Sequence, residues 1–244
     1  LKKSYNELKQ SVYTSLVLQT RLLPYLDSIS LDVTESGVRL NFSAVNSLLD
    51  TLKSTDPHNA LIDILELDTY AGDMLRALGW NPANRIKAFI DDPAYASTVQ
   101  SVKQELGNIF FARVDYYETR GTDSPSYIFG KETNDTLRGG ASSDLLVGGS
   151  GVDWLIGGQG ADILDGGSGQ DYLCGGLGDD IYMFGRGSGK DTIDESRDMP
   201  WIVAPFGNAN DRIELGADIA PSDVVLSRVG ANLVIRIKDT DDEL

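Results

Sequence analysis

Aspartate returns every nine residues through the middle of this chain, at Asp135, Asp144, Asp153, Asp162, Asp171 and Asp180. The residues between them repeat as well. The copies read GKETNDTLR, GGASSDLLV, GGSGVDWLI, GGQGADILD, GGSGQDYLC and GGLGDDIYM. Their consensus is G-G-x-G-x-D-x-U-x, with a large apolar U at Leu137, Leu146, Leu155, Leu164, Leu173 and Tyr182. A fixed period means that each copy buries its apolar residue only by stacking on neighbours. A flexible glycine-aspartate linker has no reason to keep that residue in phase.

The residue types dictate the chemistry. Glycines at positions 1, 2 and 4 allow tight turns that aim backbone carbonyls into one pocket. The aspartate at position 6 adds a hard anionic oxygen. Positions 7 to 9 form a short strand whose middle side chain points inward, because side chains alternate along a strand. Successive turns then fall on opposite edges of a flattened coil, and stacked turns lie 18 residues apart. A cation between stacked turns meets carbonyl and carboxylate oxygens, which is calcium chemistry rather than the Cys and His chemistry of zinc.

Over residues 130–194 the chain resembles the RTX, or haemolysin-type calcium-binding, family. The resemblance extends to about residue 240 through FGRGSGKDTIDE and DRIELGADIAPSDVVLSRVGANLVIRIKD, similar to the β-rich segment that often follows such repeats. It implies that position-6 aspartates two turns apart share one calcium, with carbonyls of positions 1 to 4 filling the shell. The implied pairs are Asp144 with Asp162, Asp153 with Asp171, and Asp162 with Asp180. Asp171 pairs with Asp191, two residues late because GRGSGK lengthens the turn. The implied carbonyl suppliers are Gly148, Gly149 and Gly151; Gly157, Gly158 and Gly160; Gly166, Gly167 and Gly169; and Gly175, Gly176 and Gly178. Three to five calcium ions are expected. The first copy carries Lys131 and Thr133 where glycines belong, and the second carries Ser142 at position 4. Asp135 is therefore not counted among the ligands.

The balance of 21 basic against 37 acidic side chains, net −16, repels nucleic acid and anionic lipid and suits a chain that collects cations. The single cysteine, Cys174, excludes an intramolecular disulfide. No apolar run reaches the ~18 residues of a membrane span. The chain opens on Leu1 and a charged stretch, with no cleavable signal peptide and no initiator Met, so it is read as a piece of a longer protein.

The expected fold is α+β: a mainly helical region over 1–120, an RTX parallel β-roll over 121–195, and a β-rich C-terminal cap over 196–244. Apolar residues at helical spacing predict a helix over 3–20. A β-hairpin is expected near 29–42 with Gly37 in its turn. Ser43 is expected to cap a helix to about Lys53, and Pro57 to open one reaching about Leu78. Pro82 and Pro93 open two more, the last running to Tyr117. Residues 118–125 are expected as a linker into the roll.

No catalytic constellation stands out. His58 is the only histidine, and no G-x-S-x-G elbow is present. The segment 185–191 imitates a phosphate loop, but Phe184 replaces its first glycine and Asp191 its Ser/Thr. The Asp56-Pro57 and Asp92-Pro93 bonds are chemically labile, as in self-cleaving modules of some RTX proteins, with nothing beyond the dipeptides to support that role. Positions 7 and 9 present Leu145, Val147, Ile163, Ile181 and Met183 on one sheet and Trp154, Ile156, Tyr172 and Cys174 on the other. Apolar outer faces of this extent predict covering by the helices, the C-terminal strands or a protein partner.

The resemblance implies a non-enzymatic, calcium-responsive module of a protein secreted by a Gram-negative bacterium. Such chains leave unfolded through type I secretion machinery and fold on meeting extracellular calcium, free or at the cell surface. Two other readings stay open: an adhesive or partner-binding domain supported by the roll, and the non-catalytic part of an RTX toxin or enzyme.

Overall fold

The computed structural model describes residues 17–34, 37–77, 80, 82–106, 110–113, 118–195, 210–216 and 218–244. The chain forms two compact units, Leu1–Glu105 and Leu106–Leu244. Most of the helix expected over 3–20 lies outside the described residues.

The first unit is helical. Short helix α1 (Leu23–Asp27) precedes an antiparallel hairpin of β1 (Ser30–Thr34) and β2 (Gly37–Asn41), in which Thr34 pairs with Gly37. Helix α2 (Ser43–Thr55) follows, but Ser43 is its first residue rather than its cap. Asn41 Oδ1 accepts the Ser43 N–H at 2.8 Å, so the side chain that bends the chain into this helix stands two residues earlier than expected. Helix α3 (Pro57–Ala77) starts at proline, where the missing N–H costs nothing, and Asp56 Oδ1 accepts the Asn59 N–H at 3.1 Å. Residues 60–67 of α3 are all buried, so this helix is the centre of the unit's core. Its buried carboxylates are paired: Arg21 Nε binds Asp63 and lies 3.5 Å from Glu66 Oε2, while Tyr25 Oη donates to Asp63 at 2.6 Å. Burial, the hydrogen bond to Asp63 and its charge push the Tyr25 hydroxyl well above its ordinary pKa. Helices α4 (Ala83–Ile90) and α5 (Ala96–Leu106) complete the unit, with a 3₁₀ turn over Pro93–Tyr95.

The expected helix to Tyr117 stops at Leu106. Phe110–Arg113 is instead strand β3, and Glu118–Arg120, expected as linker, is strand β4. Phe110, Phe111 and Thr119 favour strand over helix once parallel partners exist. β3 pairs with β5 (Ser126–Phe129), and β4 pairs with β6 (Thr136–Gly140) at the 18-residue offset of the repeats.

From there the chain winds a parallel β-solenoid of about four turns over residues 119–193. β7 (Leu145–Gly151), β9 (Ile163–Gly169) and β11 (Ile181–Phe184) extend one sheet, ordered β13-β11-β9-β7-β5-β3. β8 (Trp154–Gln159), β10 (Tyr172–Leu177) and β12 (Thr192–Ile193) extend the other, ordered β12-β10-β8-β6-β4. The register is the sequence period made visible: Leu145 pairs with Ile163, and Trp154 with Tyr172. The U residues, preceded by Ile128, form one continuous buried column of Ile128, Leu137, Leu146, Leu155, Leu164, Leu173 and Tyr182. Half-buried Ile193 packs against it.

The C-terminal segment is β-rich, as expected. β13 (Arg212–Leu215) adds to the roll in parallel beside β11. β14 (Val224–Val229) and β15 (Asn232–Ile237) form an antiparallel hairpin. The outer faces are less open than alternation alone suggests. Leu145, Ile156, Ile163, Cys174 and Ile181 are buried, whereas Tyr172 is 36% exposed and stacks on half-buried Trp154 with ring centroids 4.3 Å apart.

Candidate metal centre

Each repeat aspartate from Asp144 to Asp180 uses one oxygen to join turns and leaves the other without a hydrogen-bond partner. Asp153 Oδ1 accepts the Asp135 N–H at 2.8 Å, and Asp162 Oδ1 accepts that of Asp144 at 2.8 Å. Asp171 Oδ1 does the same for Asp153 at 2.9 Å, Asp180 Oδ1 for Asp162 at 2.8 Å, and Asp191 Oδ1 for Asp171 at 3.1 Å. All four expected aspartate pairs are therefore brought together. A backbone bond accompanies each contact: the N–H after the later aspartate donates to the carbonyl of the earlier one, as from Ile181 to Asp162 at 2.8 Å.

The second oxygen decides what the turns can do. Oδ2 of Asp144, Asp153, Asp162, Asp171 and Asp180 is buried and has no hydrogen-bond partner. A buried carboxylate oxygen without a donor is costly unless a cation meets it. Burial pushes these acids far above the usual carboxylate range, to about 7 for Asp144 and Asp153, about 8 for Asp162, and about 6 for Asp171 and Asp180. Asp191 is raised to about 7, chiefly by burial and further by the charges of Asp171 and Asp165.

The glycines create the space around these oxygens. Gly148, Gly157, Gly166 and Gly175 each pass directly over Oδ2 of their own turn's aspartate, where any Cβ would collide with it. At Gly157 that same space also lies 2.7 Å from the carbonyl oxygen of Gly175 in the next stacked turn. Carboxylate and carbonyl thus converge on one cradle. Gly149, Gly158, Gly167 and Gly176 at position 2, and Gly151, Gly160, Gly169 and Gly178 at position 4, pack against carbonyls of the turn 18 residues earlier. Gly178 shows why no other residue serves: its φ is +133°, and an added Cβ would run into the Gly160 carbonyl.

Among the described residues, no three His, Cys, Asp or Glu side chains gather into a group that could hold a metal. Any ion here must therefore take much of its shell from backbone carbonyls. An all-oxygen, carbonyl-rich, anionic pocket fits calcium and excludes the nitrogen and sulfur chemistry of zinc. The first copy departs from this pattern. Asp135 Oδ2 accepts the Lys131 N–H at 2.8 Å and its Oδ1 the Thr133 hydroxyl at 3.2 Å, so both oxygens are engaged.

Asp211 and Glu195 at the far end escaped the sequence reading. Asp211 Oδ1 accepts the Asp180 N–H at 3.0 Å, continuing the ladder. Glu195 accepts the N–H groups of Gly175 at 2.7 Å and Gly176 at 3.2 Å, and also binds the Tyr182 hydroxyl. Asp242 accepts from Gly189 at 2.8 Å and Gly187 at 3.0 Å; burial opposes its ionisation, but these amides hold its carboxyl below the usual carboxylate range. A signal for Asp211 was present, since Asp211-Arg212-Ile213 repeats the D-x-U of the nonapeptide. His58, by contrast, only meets Glu105, Nε2 to Oε2 at 2.7 Å.

Two parallel sheets joined by glycine-aspartate turns, with an all-oxygen cradle between stacked turns, define a parallel β-roll of the calcium-binding kind. Residues 120–154 and 147–182 match the model of the RTX calcium-binding nonapeptide repeat, in four copies, so this stretch of the chain carries RTX repeats. It is also similar to the iron-regulated protein FrpA of Neisseria meningitidis serogroup C, 28% identical over 141 residues. The match takes in 56% of this chain and 12% of that relative, so the chain spans a small part of the protein it resembles. No described helix is long and apolar enough to cross a membrane.

Proposed function

We propose that this chain is a non-catalytic calcium-binding module whose roll folds when it meets extracellular calcium, after secretion from a Gram-negative bacterium. The observation that carries the reading is the row of five buried Oδ2 atoms with no hydrogen-bond partner. Asp144, Asp153, Asp162, Asp171, Asp180 and Asp191 supply the carboxylates, and carbonyls of Gly148–Gly151, Gly157–Gly160, Gly166–Gly169 and Gly175–Gly178 complete three to five sites. When bound, calcium supplies positive charge that offsets the buried carboxylates. The chain's own contribution is to hold those oxygens at fixed register through the Oδ1 bonds. Calcium that binds only the folded roll stabilises it by about 2.7 kcal/mol per site at a hundredfold excess over Kd. Several sites filled together move the roll from unfolded to folded, which suits passage through type I secretion machinery in calcium-poor cytosol. The likeness to part of FrpA supports an origin within a longer bacterial protein.

A second reading is that the roll supports a partner-binding surface. The exposed Tyr172 beside Trp154, and the exposed Leu226, Val229 and Leu233 of the C-terminal hairpin, favour it. Circular dichroism during calcium titration and chelation tests the leading proposal. Calcium is expected to produce β-structure that chelation removes, and magnesium is expected not to replace it, because it demands tighter octahedral geometry. A roll equally ordered in chelator refutes calcium-driven folding.

A further inference from the structure

The edge of the roll that carries Asp144, Asp162 and Asp180 does not end at Asp180. Asp211 stands immediately before β13 and stacks on Asp180, although it comes 31 residues later rather than 18. The local geometry is nevertheless that of the repeats. Asp211 Oδ1 accepts the Asp180 N–H at 3.0 Å, and the Arg212 N–H donates to the Asp180 carbonyl at 2.9 Å. Ile213 pairs with Tyr182 as Tyr182 pairs with Leu164. Asp180 is fully buried, and its Oδ2 has no hydrogen-bond partner. Glu195 accepts from the amides of Gly175 and Gly176 in the preceding turn.

We propose that Asp180 and Asp211 form a further calcium site, with Asp211 outside the nine-residue spacing and beyond the end of the family match at residue 182. The proposal rests on the calcium reading of the roll and extends it to a residue that the repeat pattern does not mark. Asp211 is exposed, unlike the buried repeat aspartates, so this site opens to solvent on one side and empties first as calcium falls. Its position gives it a separate task. It fastens β13 to β11, and so makes attachment of the C-terminal segment depend on calcium.

The test uses the full chain and its Asp211→Asn variant, with bound calcium counted by equilibrium dialysis and amide exchange followed along the sheets. The variant is expected to bind one ion fewer and to exchange faster at Arg212–Leu215, while Ile163–Gly169 keeps its protection. An unchanged count together with unchanged protection overturns the site but leaves the reading of the roll standing. A wild-type chain that binds no calcium overturns both. If the variant loses its C-terminal structure altogether, wild-type crystals grown in calcium decide: an anomalous peak beside Asp180 Oδ2 and Asp211 supports the site. Peaks at the repeat turns with none there reject it.

Discussion

Replacing Asp162 with asparagine separates the two roles of its carboxylate. The amide oxygen still accepts the Asp144 N–H, which Asp162 Oδ1 receives at 2.8 Å, so the joint between turns survives. What goes is the negative charge and the buried Oδ2. Without calcium that charge works against folding, since burial raises Asp162 to about 8. Against an ordinary value of about 3.9, and at 1.36 kcal/mol per unit, holding this charge buried near neutral pH costs on the order of several kcal/mol. With calcium the balance reverses. Asp162 belongs to two stacked pairs, with Asp144 and with Asp180, and each site is worth about 2.7 kcal/mol at a hundredfold excess of ion. Urea unfolding followed by circular dichroism, in chelator and in calcium, reads both effects. The variant is expected to be more stable than wild type in chelator and less stable in calcium. Equal destabilisation in both conditions refutes the reasoning, because Asp162 would then be only a structural hydrogen-bond acceptor.

The acidities give a pH dependence with a definite sign. The repeat aspartates are raised in the folded roll, so the calcium-free roll is most stable below the ordinary carboxylate range and loses stability as pH rises through about 6 to 8. Thermal melts in chelator at acidic and mildly alkaline pH check this, and a melting temperature that rises with pH contradicts it. Gly178→Ala forces a Cβ into the Gly160 carbonyl at φ +133° and is expected to disrupt its turn, whereas Gly185→Ala has no atom within 4 Å and is expected to be tolerated. Comparing calcium midpoints of the two variants distinguishes them; equal effects refute the packing argument. Leu164→Ala, in the middle of the buried column, is expected to cost about 2–5 kcal/mol in calcium-loaded urea unfolding. A loss under ~1 kcal/mol would mean that the column does not hold the sheets together.

The repeats were the legible part of this chain. A nine-residue period with one apolar phase leaves a single stacking register, and the 18-residue offsets and the column from Leu137 to Tyr182 follow from it. The β-hairpin before Ser43 was also readable, from alternation around a glycine. The first strands of the roll were not. Phe110–Arg113 and Glu118–Arg120 carry no Gly or Asp signature, and they become strands because Ser126–Phe129 and Thr136–Gly140 offer them parallel partners. Asp211 was hidden for a different reason: it comes 31 residues after Asp180, out of the nine-residue phase, although D-x-U returns there. Alternation marked Ile156, Cys174 and Ile181 as apolar outer positions expected to be covered, and they are buried, but it does not say what packs on them.

The central claim is that stacked turns hold calcium on carboxylate and carbonyl oxygens fixed in register. Anomalous diffraction from crystals grown in saturating calcium tests it most directly. The account predicts ions about 2.3–2.6 Å from Oδ2 of the repeat aspartates Asp144 to Asp180, each also touching carbonyls of the neighbouring turns. The same stacked turns with no anomalous density beside those oxygens would contradict it.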